Sequence, residues 1–347
     1  MEEKKFLKKL CTAHAPSGRE HWIYSIFEEG FKPYCEEVRR GNLNNSYAIK
    51  KGNGRKSIML MAHADEVFML VKEISDNGFV KFVGVGIDAK TLVSQEVVIH
   101  GKEKIEGIIG IKPPHIMTEE DRKKSANIDD LLIDTGRSKE FVEKNIKIGD
   151  FITIKRDMYE LLNNNIAAKA TDDRASIVSM LTCAKELQNI KHDLDVYFVG
   201  SCQEEVGHRG AKIATFDIEP TLGIAIDVTF DNCRLGIPDS EVELGKGPAI
   251  CIGPNIHPKF RERFTDIADE YGIPYQLEVS PGATGTDAWD IQVTKSGIPT
   301  LLISIPQRYM HTSVEVLNMD DVKNTGRMIA KFIEKISEYD LEELLCF

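Results

Sequence analysis

Five short groups of polar residues follow apolar runs in this chain. Each carries side chains able to hold a divalent metal or move a proton: His63-Ala64-Asp65, Asp172-Asp173-Arg174, Glu204-Glu205, Asp227, and His311 within Tyr309-Met310-His311-Thr312. Imidazole nitrogens and carboxylate oxygens without thiolates make a mixed donor set that suits Zn²⁺, Co²⁺ or Mn²⁺. Each group also has an ordinary structural use. A histidine at a strand end can simply be hydrogen-bonded, Asp-Asp-Arg can cap a helix and form a surface ion pair, and adjacent glutamates are commonly solvated. Three details favour chemistry. Asp65 stands two residues beyond His63, where a carboxylate can orient the imidazole through its second nitrogen. Neither capping nor pairing needs two aspartates. Glu204-Glu205 directly follows the apolar stretch Val196-Tyr197-Phe198-Val199. Asp227, after the charge-free run Gly223-Ile224-Ala225-Ile226, and His311 are, taken singly, of a kind more often structural than catalytic.

These groups need elements that bring them together. Residues 57–62 are apolar on both faces, as in a central strand covered by helices on each side of a sheet. Residues 195–200, 222–227 and 300–305 read as further strands, and α/β sheets place their ligand sites just beyond the carboxyl ends of such strands. Helical spacing appears at Phe6, Leu7, Leu10 and Cys11, and again at Ile23, Tyr24, Ile26 and Phe27, with a break at Ser17-Gly18. It returns at 174–187, 260–271 and 320–336. Between about 71 and 155 the texture changes to alternating or β-branched runs separated by glycines at 78, 84, 86, 101, 107, 110 and 149. The expected fold is therefore an α/β/α domain with a mixed sheet, formed by residues 1–69 and 163–347, interrupted by a small barrel-like all-β insert at 70–162.

Composition narrows the partners. The 347 residues carry 44 Lys+Arg against 55 Asp+Glu, a net charge of −11, with no basic block, which argues against nucleic acid or an anionic membrane surface. At 42% hydrophobic and 29% charged residues the chain has the composition of an ordinary globule, and its apolar runs fall far short of the roughly 18 residues of a membrane span. MEEKKFLKKL lacks the apolar region of a secretory signal, and the seven cysteines are odd in number and contain no C-x-x-C. A cytoplasmic protein with reduced thiols is expected.

Taken in order, the blocks Ala62–Val67, Lys169–Ala175, Gln203–Ala211, Gly285–Ala288 and Pro306–Thr312 resemble metallopeptidase family forty-two, the glutamyl, deblocking and tetrahedral (TET) aminopeptidases, over essentially the whole chain. The resemblance implies a dinuclear centre in which Asp172 bridges two divalent ions, His63 and Asp227 complete one site, and Glu205 and His311 complete the other. It implies Glu204 as general base and acid, Asp65 as the group orienting His63, and Asp173 and Arg174 as supports for the bridging aspartate. Asp287 and Arg308 are its candidate substrate-binding residues. It further implies peptide substrates and homo-oligomers, with dimers assembling into a dodecamer. Three positions depart from the family pattern: Phe68 for glycine, Val85-Gly86 for Gly-Gly, and His208 for leucine.

Two rival activities compete. A deacylase or carboxypeptidase would use the same two-metal chemistry, but in that similar family the extra domain enters after the Glu-Glu pair. A glycoside hydrolase would use Glu204 and Glu205 as its carboxylate pair. Adjacent strand-end residues are expected to point to opposite faces, whereas such a pair must face across about 5 Å or more. That reading also leaves His63, Asp172, Asp227 and His311 without a task.

Overall fold

Four apolar runs become neighbouring parallel strands in the computed structural model, which describes residues 2–119, 125–232 and 242–345. Asp195–Ser201 pairs with Ser57–His63, which pairs with Leu222–Phe230, which pairs with Thr300–Arg308. Almost every residue in these strands is buried. This explains why they read as unbroken apolar runs rather than as alternating patterns. Antiparallel strands extend the sheet on both sides. Ser46–Lys50 and Glu37–Arg40 continue one edge, while Glu315–Asn318, Asn165–Ala168 and Tyr159–Glu160 continue the other. Ala249–Ile252 branches from Thr300–Arg308 and carries Gln276–Val279 beside it.

The helix Thr171–Glu186 packs on Ser57–His63 and Leu222–Phe230, and against the helices Met319–Lys335 and Glu3–Thr12. It is buried along its length through Ala184. Such a helix carries little one-sided pattern, and its interior hydroxyls need partners: Ser179 donates to the Val322 carbonyl at 2.8 Å. Met319–Lys335 is the amphipathic opposite. Asn318 caps its first turn, which holds Asp320 and Asp321, and Lys335 sits in the last turn, as the helix dipole favours. A second group, Arg209–Ile218 and Ala288–Gln292, packs on itself and on the parallel strands.

The glycine-rich middle of the chain forms a closed antiparallel barrel of six strands: Phe68–Ile74, Val80–Val85, Leu131–Asp134, Lys104–Ile111, Glu96–His100 and Phe151–Ile154. Its core is separate from that of the main sheet and centres on Val71, Phe82, Val97, Ile109, Ile133 and Ile152. Phe68 opens the barrel and lies 5.4 Å from the Phe151 ring, so the aromatic side chain at this departure from the family pattern is used in packing. Cys11, Cys35, Cys183, Cys202 and Cys251 are free thiols. Cys233 and Cys346 lie outside the described residues. Among those described, no helix is long and apolar enough to cross a membrane.

Candidate active site

Parallel pairing carries the carboxyl ends of all four central strands to one edge of the sheet. His63 is the last residue of its strand, in register with Ser201. Asp227 lies near the end of the next strand, opposite Ser304. Glu204 and Glu205 follow Ser201 after a sharp bend at Gln203, whose φ is 56°. His311 follows Arg308 through a turn in which Tyr309 and His311 both have φ of 60°. Asp172 reaches the same place from the first turn of Thr171–Glu186. It and Asp173 keep non-helical dihedrals, and the peptide between them is cis.

Two donor groups result, with ligand atoms within 4.8 Å of one another. One is His63, Asp172 and Asp227, and the other is Asp172, Glu205 and His311. Asp172 belongs to both, its Oδ1 lying 2.9 Å from His63 Nε2 and its Oδ2 lying 3.2 Å from His311 Nε2. His311 Nε2 is also 3.5 Å from Glu205 Oε2. Burial drives the Asp227 carboxyl well above the usual carboxylate range, and neighbouring Glu204 and Asp172 push the same way. Burial, with Asp172 next, takes Glu205 up to about 8. Burial acts on Asp172 as well, but hydrogen bonds from His311 and His63 outweigh it and hold this carboxyl far below its ordinary value. Crowded anions converging with two imidazoles on shared points fit divalent cations, whose charge relieves their mutual repulsion. The Cys251 thiol also lines the cleft, but burial lifts it to about 11 and keeps it out of the charged donor set.

Supporting contacts redistribute some expected roles. Asp65 Oδ1 stands 3.6 Å from His63 Nδ1, beyond hydrogen-bonding range. Its carboxylate also accepts the Ser17 hydroxyl at 2.6 Å and the backbone N–H groups of Glu204 at 3.1 Å and Glu205 at 3.3 Å. Asp65 therefore holds the turn that carries the two glutamates. Asp173 accepts the His63 backbone N–H at 3.1 Å. Arg174 is wholly buried. It donates to the carbonyls of Leu10 and Ala13 at 2.8 and 2.9 Å and to Glu66 at 3.1 Å. Lys169 reaches the other Glu66 oxygen. This buried trio fastens the end of the first helix beneath the site.

Glu315 was not singled out by the sequence. Its Oε2 accepts from Thr171 N at 2.7 Å and Asp172 N at 3.2 Å, and its Oε1 accepts from His311 N at 3.1 Å, so one carboxylate ties two donor residues together. The only signal was a lone acid ahead of the apolar strand Glu315–Asn318. His208 is joined to the site as well, with Nε2 3.1 Å from Glu204 Oε1.

The cleft over these residues has a volume of about 370 Å³. Glu204 and Glu205 both line it, against the expectation that adjacent acids diverge, because they leave from a bend and not from a straight strand. Thr229, Leu302, Thr286 and Glu278 line its walls. Asp287 and Arg308 are not among the lining residues. Asp287 is buried and accepts the Ser201 hydroxyl, while Arg308 Nε donates to Asp231 at 2.6 Å. Gly86 brings the barrel to the edge of the site: its φ is 73°, and a Cβ there would collide with Val67 and lie 3.5 Å from Glu205 Oε2.

Residues 44–328 match the M42 glutamyl aminopeptidase family. The lysyl aminopeptidase of Pyrococcus furiosus is 35% identical over 346 residues, covering 98% of this chain and 99% of that protein. Aminopeptidase APDkam598 from the archaeon Desulfurococcus kamchatkensis superposes with a TM-score of 0.91 at 37% identity, covering 99% of this chain and 98% of that one. The Pyrococcus horikoshii TET1 peptidase, which can assemble into a tetrahedron or a large octahedral shell, superposes with a TM-score of 0.84 at 29% identity, covering 96% of this chain and 100% of that one. With the family match extending over most of its length, the chain belongs to the M42 glutamyl aminopeptidases and is a metal-dependent aminopeptidase.

Proposed function

We propose that this chain removes single residues from the free N-terminus of peptides, with two divalent cations held by His63, Asp172 and Asp227 and by Asp172, Glu205 and His311. The sharing of Asp172 between two compact donor groups is the observation that carries this reading. When bound, such a cation pair lowers the pKa of a water and polarises the scissile carbonyl. Glu204 is the general base and acid. Its Oε2 points toward the cluster, 3.9 Å from His63 Nε2, where it can take a proton from the attacking water and return it to the departing amine. Asp65 fixes the backbone from which Glu204 projects. Glu315 and Asp173 hold the backbone at Asp172, His311 and His63 so that the donors converge.

The cleft wall also suggests which residues are removed. Thr229 lies two positions beyond Asp227 on the same strand, hence on the same face and about 6.6 Å further along. Its hydroxyl donates to Glu278, a partly buried carboxylate with no cationic partner among the described residues. That spacing suits the length of a lysine or arginine side chain whose α-amine sits over the donor groups. We therefore extend the proposal to a preference for basic N-terminal residues, in line with the name of the Pyrococcus furiosus relative. Peptides are favoured over folded proteins if the chain assembles into a shell, as the Pyrococcus horikoshii neighbour does.

The test is Glu204→Gln, assayed on lysyl-, glutamyl- and leucyl-p-nitroanilide together with metal content. The substitution removes a proton carrier and leaves the donor groups intact, so turnover should fall about 10²- to 10⁴-fold with metal retained. Wild-type turnover in this variant would refute the assigned role. Fastest release by the wild type from the glutamyl or leucyl substrate would refute the preference for basic residues.

A further inference from the structure

We propose that His208 is a positioning residue for hydrolysis: it fixes one oxygen of the Glu204 carboxylate while Asp290 fixes the imidazole from its other side. The proposal rests on the reading of Glu204 as the proton carrier. His208 Nε2 lies 3.1 Å from Glu204 Oε1, and His208 Nδ1 lies 3.2 Å from Asp290 Oδ2. An imidazole has two nitrogens, and here both face carboxylates, so the ring has no nitrogen left for the donor groups and belongs to neither of them.

The backbone builds this arrangement. The turn after Gln203 closes with the N–H groups of Gly207 and His208 on the Glu204 carbonyl, at 2.9 and 3.0 Å. Gly207 then has φ of 115° and His208 φ of 51°, which turns the histidine back over the glutamate just before the helix Arg209–Ile218 begins. Asp290 comes from Ala288–Gln292, the helix that packs against Arg209–Ile218, and it is buried. Charged groups face His208 from three directions. Glu204 comes from its own turn, Asp287 and Asp290 come from the neighbouring helix and its approach, and Lys212 lies with its Nζ 3.3 Å from Asp290 Oδ1. Hydrogen bonding to Glu204 is the largest influence holding the imidazole in its doubly protonated form, up to about 9. In that form both ring nitrogens carry a proton and each faces a carboxylate, so the charged chain Asp290–His208–Glu204 is complete.

The consequence for chemistry is geometric. A glutamate side chain has several rotatable bonds, and proton transfer requires its oxygen to stay within hydrogen-bond reach of the reacting groups. Tethering Oε1 to a ring that is itself tethered leaves Oε2 as the oxygen facing His63 and the cleft. A displacement of about 1 Å in such a group can cost about 100-fold in rate.

The experiment uses the full-length, metal-loaded protein and its best aminoacyl-p-nitroanilide. kcat, KM, bound metal and thermal midpoint are measured for His208→Leu, His208→Gln, Asp290→Asn, Glu204→Gln and the His208→Leu/Glu204→Gln double variant. His208→Leu is expected to lower kcat about 10- to 100-fold with metal content unchanged. Its KM should stay within about twofold, since substrate binding is not altered. His208→Gln, which keeps an N–H donor for Glu204, should recover most of the loss. Asp290→Asn preserves the ring and its shape and should show a smaller fall in kcat of the same kind. In the Glu204→Gln background His208→Leu should change kcat by less than about threefold, because both substitutions remove one function.

Wild-type kcat in His208→Leu or in Asp290→Asn would overturn the proposal. So would a glutamine variant as slow as the leucine one, or a loss of rate that tracks loss of metal. If His208→Leu does not fold, the glutamine and Asp290→Asn variants decide. An active Glu204→Gln would sink the reading of Glu204 itself, whereas an inactive Glu204→Gln beside a fully active His208→Leu sinks only the role of His208.

Discussion

Glu315 offers no atom to either donor group, yet its carboxylate receives the backbone of Asp172 and of His311. Glu315→Ala would leave three buried or half-buried N–H groups without acceptors, each worth about 1–3 kcal/mol. Weaker metal retention, by about 10- to 100-fold in chelator competition, is the expected outcome, and unchanged retention would remove Glu315 from the account. His311→Ala should act more directly, since it deletes a donor from the group that contains Glu205. Its measured metal content should fall relative to Glu204→Gln. At this scale the sequence was most legible where a polar residue interrupts or ends an apolar run, as at His63, Asp227 and Glu204-Glu205. It was illegible where importance depends on a partner distant in the chain. Glu315 meets Thr171 and His208 meets Asp290, and neither pairing leaves a local pattern. Asp65 lies between these cases: its proximity to His63 suggested ring orientation, while its contacts to Ser17 and to the Glu204-Glu205 turn left no local pattern.

Elements place these residues, and the turn after Asp195–Ser201 is the most exacting of them. Asn45, just ahead of the neighbouring strand Ser46–Lys50, holds it, accepting Cys202 N–H and donating to the Gly210 carbonyl, both at 2.9 Å. A Cβ on Gly210 would collide with the Cys202 backbone. Gly210→Ala is therefore expected to cost about 1–3 kcal/mol and lower the thermal midpoint, with a fall in kcat because Glu204 rides on the displaced turn. Beneath the site, Glu66 links Lys169 and Arg174 in full burial. Glu66→Ala would strand two buried cations, at a cost of about 3–5 kcal/mol in denaturant unfolding. Burial raises the Glu66 carboxyl, but Lys169 and Arg174 outweigh it and hold it down to about 2. A folded value below the unfolded one means that this stabilisation is complete above about pH 4.5 and is lost as pH falls through about 2. Unfolding free energy should drop over that window in the wild type and drop less in Glu66→Gln. The central strands and the amphipathic helices were readable because burial on both faces, or on one stripe, writes itself into the sequence. Short strands such as Ala249–Ile252, Gln276–Val279 and Glu315–Asn318 were not, because four residues span too few repeats to show a period and their burial is set by the neighbouring strand.

For the whole molecule, the barrel insert and the acidic composition were legible, whereas assembly was not. An interface between copies is a match between surfaces, and one chain shows only half of it. Ile148, Leu162 and Val293 are 75%, 86% and 66% exposed in the isolated chain but lie on separate elements, so no single apolar patch among the described residues marks a contact surface. Sedimentation equilibrium should give a mass several times the 39.0 kDa of one chain, and a monomer at micromolar concentration would contradict the expected homo-oligomer. The account as a whole rests on a metal-dependent attack at the bond following a free N-terminal residue. Its most direct test is a panel of aminoacyl-p-nitroanilides and their N-acetylated counterparts, given to the chelator-stripped protein before and after Zn²⁺, Co²⁺ or Mn²⁺ is restored. Release only after metal is restored, and only from substrates with a free amine, is the expected result. Release without metal, or equal release from the acetylated substrates, would contradict it.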